Sequence, residues 1–115
     1  MSSPFGTVLA SISRHRGVLG AFVVSERDGI AVESLVQIGV DTDAVAALAA
    51  SLYRKARLAA AAAGYGASSF VHLEGQRGRI CATGSGDLVL VAIAESRVNF
   101  GLLRLEMLRA SKGLA

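Results

Sequence analysis

Residues 41–63 constrain this chain more than any other stretch: they predict a helix of about six turns, almost wholly small or apolar yet too interrupted by charge to cross a membrane. At about 100° per residue, Val45, Leu48, Ala49, Leu52, Ala56, Ala59, Ala60 and Ala63 fall on one face, the stripe expected of a helix docked on its own domain. A second face is left over. Ala47, Ser51, Leu58, Ala61 and Ala62 lie roughly opposite, with Arg54 and Lys55 among and beside them, and small side chains there let another backbone come close. A helix with two buriable faces in a chain of 115 residues needs a partner, so the protein is expected to work by being bound.

That length suits one domain, residues 1–115, built around a single core. The chain is 52% hydrophobic and only 18% charged, and surplus apolar surface points to an interface, although alanine supplies much of the excess. Twelve basic and nine acidic residues give a net charge of +3, with basic clusters only at Arg14-His15-Arg16 and Arg54-Lys55-Ala56-Arg57. Nucleic acid is not an expected partner, because a polyanion binder concentrates many more cations on one surface, and the four Phe and two Tyr are too scattered to stack bases. The single cysteine, Cys81, excludes an intramolecular disulfide and fits a reducing compartment. Residues 1–6 lack the basic start and apolar run of a signal peptide, and the uncharged residues 58–71 are too short for a bilayer, so a cytoplasmic location without a membrane span is expected.

Pro4 suits a first helical turn, and Phe5, Val8, Leu9 and Ile12 recur on one face until Arg14-His15-Arg16-Gly17 stops the helix. Residues 18–25 are apolar on both alternating faces and predict a covered central strand; Asp28-Gly29 then turns the chain into a return strand at residues 30–35. Asp41, Thr42 or Asp43 can cap the long helix, and Gly64 and Gly66 end it. Three more strands are expected at residues 68–74, 79–83 and 87–95.

A hairpin centred on Gln76-Arg77 sets Val71 opposite Ala82, Leu73 opposite Ile80, His72 opposite Cys81 and Glu74 opposite Arg79, which matches apolar with apolar and carboxylate with guanidinium. Residues 88–94 are again apolar on both faces, so the first and last strands are neighbours in the middle of the sheet. Hairpins joining the other strands then give a mainly antiparallel five-stranded α/β sheet of order 2-1-5-4-3, the long helix on one face and both terminal helices on the other. Ser96 is the candidate cap of the last helix, with Val98, Leu102, Leu105 and Leu108 as its buried stripe.

Catalytic constellations are not visible in this pattern. The glycine pairs Gly64/Gly66 and Gly84/Gly86 lack the residues of a phosphate loop or a dinucleotide fingerprint and read as turns. His72 opposite Cys81 is the one pair resembling a base and its nucleophile, but neither has a third group to orient it, and a strand cysteine most often fills a core. His15, between two arginines, suits a helix C-terminus. The carboxylates fall mostly in turns, caps and exposed strand positions, where no close acid and base pair forms. No cofactor or metal is expected, and weight moves from enzyme to interaction module.

The order helix, two strands, long helix, three strands, helix resembles the roadblock family, also called the dynein light-chain roadblock domain. The likeness covers essentially the whole chain and is carried by residues 17–24 leading into Arg27-Asp28-Gly29-Ile30-Ala31, the alanine-rich residues 43–52, residues 87–91, and Asn99-Phe100-Gly101-Leu102-Leu103-Arg104. These mark a fold rather than a catalytic signature. The resemblance, closest in style to stand-alone prokaryotic members, implies a homodimer in which the long helices pair and edge strands align, acting as a non-enzymatic regulator or scaffold of a small Ras-like GTPase of the gliding-motility type. It implies that Ala47, Ser51, Arg54, Leu58 and Ala62 line the dimer seam or partner surface. On the third strand, residues 69–74, it adds Phe70 and His72 to that interface and makes the strand the edge that pairs across the dimer. No residue matches an arginine finger, so any effect on GTP hydrolysis would come from holding the GTPase's own switch segments. A small-molecule-sensing α/β domain is the alternative, and it requires a cavity with a few convergent polar groups.

Overall fold

The two strands that are apolar on both faces, β1 (Val18–Ser25) and β5 (Leu88–Glu95), lie side by side at the centre of an antiparallel sheet in the computed structural model, which describes residues 4–37 and 39–114. Met1, Ser2, Ser3, Ile38 and Ala115, and with them the start of the N-terminal segment discussed above, lie outside the described residues. β2 (Ile30–Val36) pairs with β1, β4 (Gly78–Ser85) with β5, and β3 (Val71–Glu74) with β4, which gives the order β2-β1-β5-β4-β3 inferred from the sequence. Every one of these pairings is antiparallel.

Side chains alternating off the strands build two cores, as a covered sheet requires. One packs Ala21, Val23, Cys81, Leu90 and Ala92 under α1 (Gly6–Ser13) and α3 (Phe100–Ser111). The other packs Phe22, Val24, Ala82, Val89 and Val91 under α2 (Thr42–Ala62). The β3–β4 register is the inferred one: Val71 opposite Ala82, His72 opposite Cys81, Leu73 opposite Ile80 and Glu74 opposite Arg79. Glu74 and Arg79 meet at 3.5 Å. β3 is shorter than expected, because residues 68–70 lead into the strand without joining it.

Two helices are turned differently from the sequence expectation. The Asp41 side chain caps α2, accepting from the Ala44 amide at 3.1 Å, but the helix docks through Ala46, Ala49, Ala50 and Tyr53. Leu48, expected in the docked stripe, is 70% exposed, and Ala59 and Ala63 also face outward. Close approach explains this rotation: methyl groups let the helix axis settle onto the sheet where leucine would hold it away.

In α3 the cap is Asn99, which accepts from the Leu102 amide at 3.1 Å; Ser96 instead donates its hydroxyl to the Gln76 carbonyl. Starting the helix three residues later moves its buried stripe to Leu103, Met107 and Ser111, and of the predicted stripe only Val98 is buried. Leu102 and Leu105 are exposed.

Candidate partner-binding surface

Three contacts fix α2 against the sheet and so decide what it shows to solvent. The phenol of Tyr53 packs on Gly84, where a Cβ would stand 2.7 Å from the phenol Cζ, and its hydroxyl donates to the Ser68 carbonyl at 3.3 Å. Arg54 Nη2 donates to the Glu26 carbonyl at 2.7 Å, and Arg57 Nη2 to the Glu26 carboxylate at 2.6 Å. That hydrogen bond raises the Arg57 pKa above its ordinary value, and Coulomb attraction to Glu26 adds to it. Together they staple the β1–β2 turn to the helix.

With that side committed, the remaining face carries Ala44, Ala47, Leu48, Lys55, Leu58 and Ala62 exposed and Ser51 half-buried. Leu58 is 55% exposed. On the same side of the sheet, a shallow groove of about 290 Å³ opens between Leu19, Leu73, Ile80 and Ile93 at the β3–β4 hairpin. Leu73, 48% exposed, stands on the edge strand itself. Small residues, isolated large apolar ones and an open strand edge therefore sit on one side of the molecule.

Of the interface residues named from the sequence, Ala47, Ser51, Leu58 and Ala62 share this face. Arg54 turns away to the Glu26 carbonyl. Phe70 and His72 lie on the opposite side of the sheet. The His72 ring stacks on Phe100 at 4.1 Å and 24°, its Nε2 sits 3.2 Å from Arg79 Nη1, and Phe70 meets Phe100 edge-on at 6.0 Å. Since a guanidinium can only donate, Nε2 is the acceptor. These contacts turn both side chains toward α3, on the side of the sheet away from the outer face of α2, and leave the backbone edge of β3 open. Leu48, Leu73, Ile80 and Ile93 are the surface residues that sequence reasoning did not single out.

Burial pushes the Cys81 thiol up to about 11, against a small opposing pull from Arg79, so it is protonated at neutral pH and is a poor nucleophile. Among the described residues no three His, Cys, Asp or Glu side chains converge on a metal position, and no helix is long and apolar enough to cross a membrane.

Comparison with known proteins bears on what such a surface belongs to. The Roadblock/LC7 domain profile matches residues 4–94. The chain belongs to the Roadblock/LC7 domain family. Its relatives include the uncharacterized protein MJ1340 of Methanocaldococcus jannaschii, 31% identical over 91% of each chain. Among solved structures, MglB of Myxococcus xanthus superposes with a TM-score of 0.82 at 25% identity over 97% of this chain and 94% of that one. An MglB with a tetrameric arrangement gives a TM-score of 0.85 at 20% identity, over 100% of this chain and 90% of that one, a likeness of fold. The Roadblock/LC7 assignment thus accounts for the strand order.

Proposed function

We propose that this Roadblock/LC7 protein is a non-enzymatic homodimer that regulates or scaffolds a small Ras-like GTPase of the gliding-motility type in the cytoplasm. The observation that carries the reading is Leu48 and Leu58 standing in solvent on the alanine-lined outer face of α2, on the side of the sheet where Leu73 marks an open edge at β3. Two such helices could approach closely over their small residues while two β3 edges pair, covering both unpartnered features at once. Self-assembly in a solved MglB is consistent with this.

The arginines bear on mechanism. The two guanidinium groups on α2, Arg54 and Arg57, are both engaged by Glu26, while Lys55 stands exposed. In this reading the dimer acts by fixing the GTPase's switch segments and not by inserting a guanidinium. The sensing alternative draws less support, since the grooves lined by Arg16 and Arg97, by Tyr53 and Arg57, and by Leu73 and Ile93 are all open to solvent rather than enclosed.

Sedimentation of the purified chain at micromolar concentration tests the dimer: a two-protomer species is expected, and Leu58→Asp should split it by burying a charge at the seam. A wild-type chain that stays monomeric would overturn the reading. Recovery of a small GTPase from the source cell, followed by hydrolysis assays with and without the dimer, tests the partner.

A further inference from the structure

Positive charge in this chain is unevenly placed. Residues 1–16 and 95–115 hold six of the twelve basic and two of the nine acidic residues, a net +4, whereas residues 17–94 carry a net −1. The fold gathers these two segments into one layer: α1 and α3 cover the same side of the sheet, opposite α2, and share the core around Leu9, Ile12, Leu103 and Met107. The C-terminus of α1 meets the start of α3 where Gly17 rests on Val98.

On the outside of that layer Leu102 and Leu105, 45% and 44% exposed, lie one turn apart. Arg104, Arg109 and Lys112 are exposed along the same helix, and Arg14, Arg16 and Arg97 at the α1–α3 junction. Glu106 pairs with Arg109 at 3.8 Å, and the exposed Glu95 lines the groove between Arg16 and Arg97, so the surplus of cations over carboxylates and not every cation singly carries the field.

We propose that the α1–α3 layer docks reversibly on an anionic phospholipid surface. Two half-exposed leucines set among arginines offer far less apolar area than a stable protein interface needs. They suffice as shallow insertion points beside a field that attracts anionic headgroups, because each cation held near such a surface adds its own increment of attraction. The cations are spread along the layer instead of converging on a pocket, which suits a continuous anionic plane better than a single ligand, and among the described residues of this layer there is no exposed aromatic platform to favour nucleic acid. The layer belongs to each protomer, so the inference stands whether or not the chain dimerises. A membrane docked here leaves the outer face of α2 pointing away from the lipid and open to its partner.

Flotation of the full chain with vesicles of phosphatidylcholine, with and without phosphatidylglycerol, tests the proposal. Binding is expected only to the anionic vesicles and should fade as salt rises. Arg104→Gln combined with Arg109→Gln should weaken it about 30-fold, from two lost surface cations. Leu105→Ser should weaken it roughly fivefold with charge unchanged. Thermal melting of each variant checks that the fold is retained, and Arg97→Gln with Lys112→Gln gives an independent pair should the first disturb the cation contact of Arg104 with Phe70. Equal binding to neutral and anionic vesicles, no binding to either, or wild-type binding by both double variants would overturn the proposal. So would retention of a poly-glutamate peptide, through these same arginines, by a chain that ignores both vesicle types, since that assigns the layer to an acidic protein.

Discussion

Tyr53 occupies the space that any side chain at Gly84 would need, so α2 and the end of β4 interlock at a single phenol ring. The backbone at position 84 is not in the left-handed region, and the requirement for glycine there is one of space alone. Gly84→Ala should therefore cost about 2–3 kcal/mol in urea denaturation, as overpacking does. Tyr53→Ala alone should cost more, about 3–5 kcal/mol, by opening a cavity. In the double variant the two penalties should fall well short of their sum, because the methyl group enters vacated space. Full additivity would show that the ring does not set this spacing.

The staple around Glu26 divides into two unequal bonds. Arg57→Ala removes an ion pair whose cation is 44% exposed, and should cost less than Arg54→Ala, and less still in high salt. Arg54→Ala removes the donor to a backbone carbonyl together with a looser 4.0 Å ion pair to the Glu26 carboxylate, and should cost about 1–2 kcal/mol with a weaker salt dependence than Arg57→Ala. Denaturation of both variants at low and high ionic strength separates the two.

Adjacent leucines in α3 should behave oppositely. Leu103 is fully buried and Leu102 is not, so Leu103→Ala should lose about 2–4 kcal/mol and Leu102→Ala less than about 0.5 kcal/mol. Equal losses would mean that the helix is rotated from the position described here.

Cys81 should be silent to alkylation at neutral pH until the chain unfolds. Its thiol stays protonated in the fold up to about pH 11, while an unfolded thiol ionises near its ordinary value of 9.0. Proton release therefore favours unfolding in that window: stability is complete below pH 9 and falls as pH rises toward 11, by roughly 2–3 kcal/mol. Denaturation midpoints measured across this range should show the fall in the wild type and its loss in Cys81→Ala.

What could be read in the sequence was what strong local patterns specify. β1 and β5 announced themselves as central strands by being apolar on both faces, and the β3–β4 register followed from matching Glu74 with Arg79. The orientation of α2 was not legible, because a face made of alanines gives little directional signal and the deciding contact, Tyr53 on Gly84, joins residues 31 positions apart. For α3 the sequence points to Ser96, but that hydroxyl bonds to the Gln76 carbonyl and Asn99 caps the helix instead. The side of the sheet taken by His72 was implicit in its pairing with Cys81, since directly opposed residues share a face.

Ala46, Ala49 and Ala50 act as a shim of fixed thickness beneath α2. A partner seated on the far side of the helix never touches them, yet they set the height at which it finds Leu48 and Leu58. In the proposed assembly, enlarging one of these methyls would lift the whole platform, so specificity for the partner would be written partly in residues that it cannot reach.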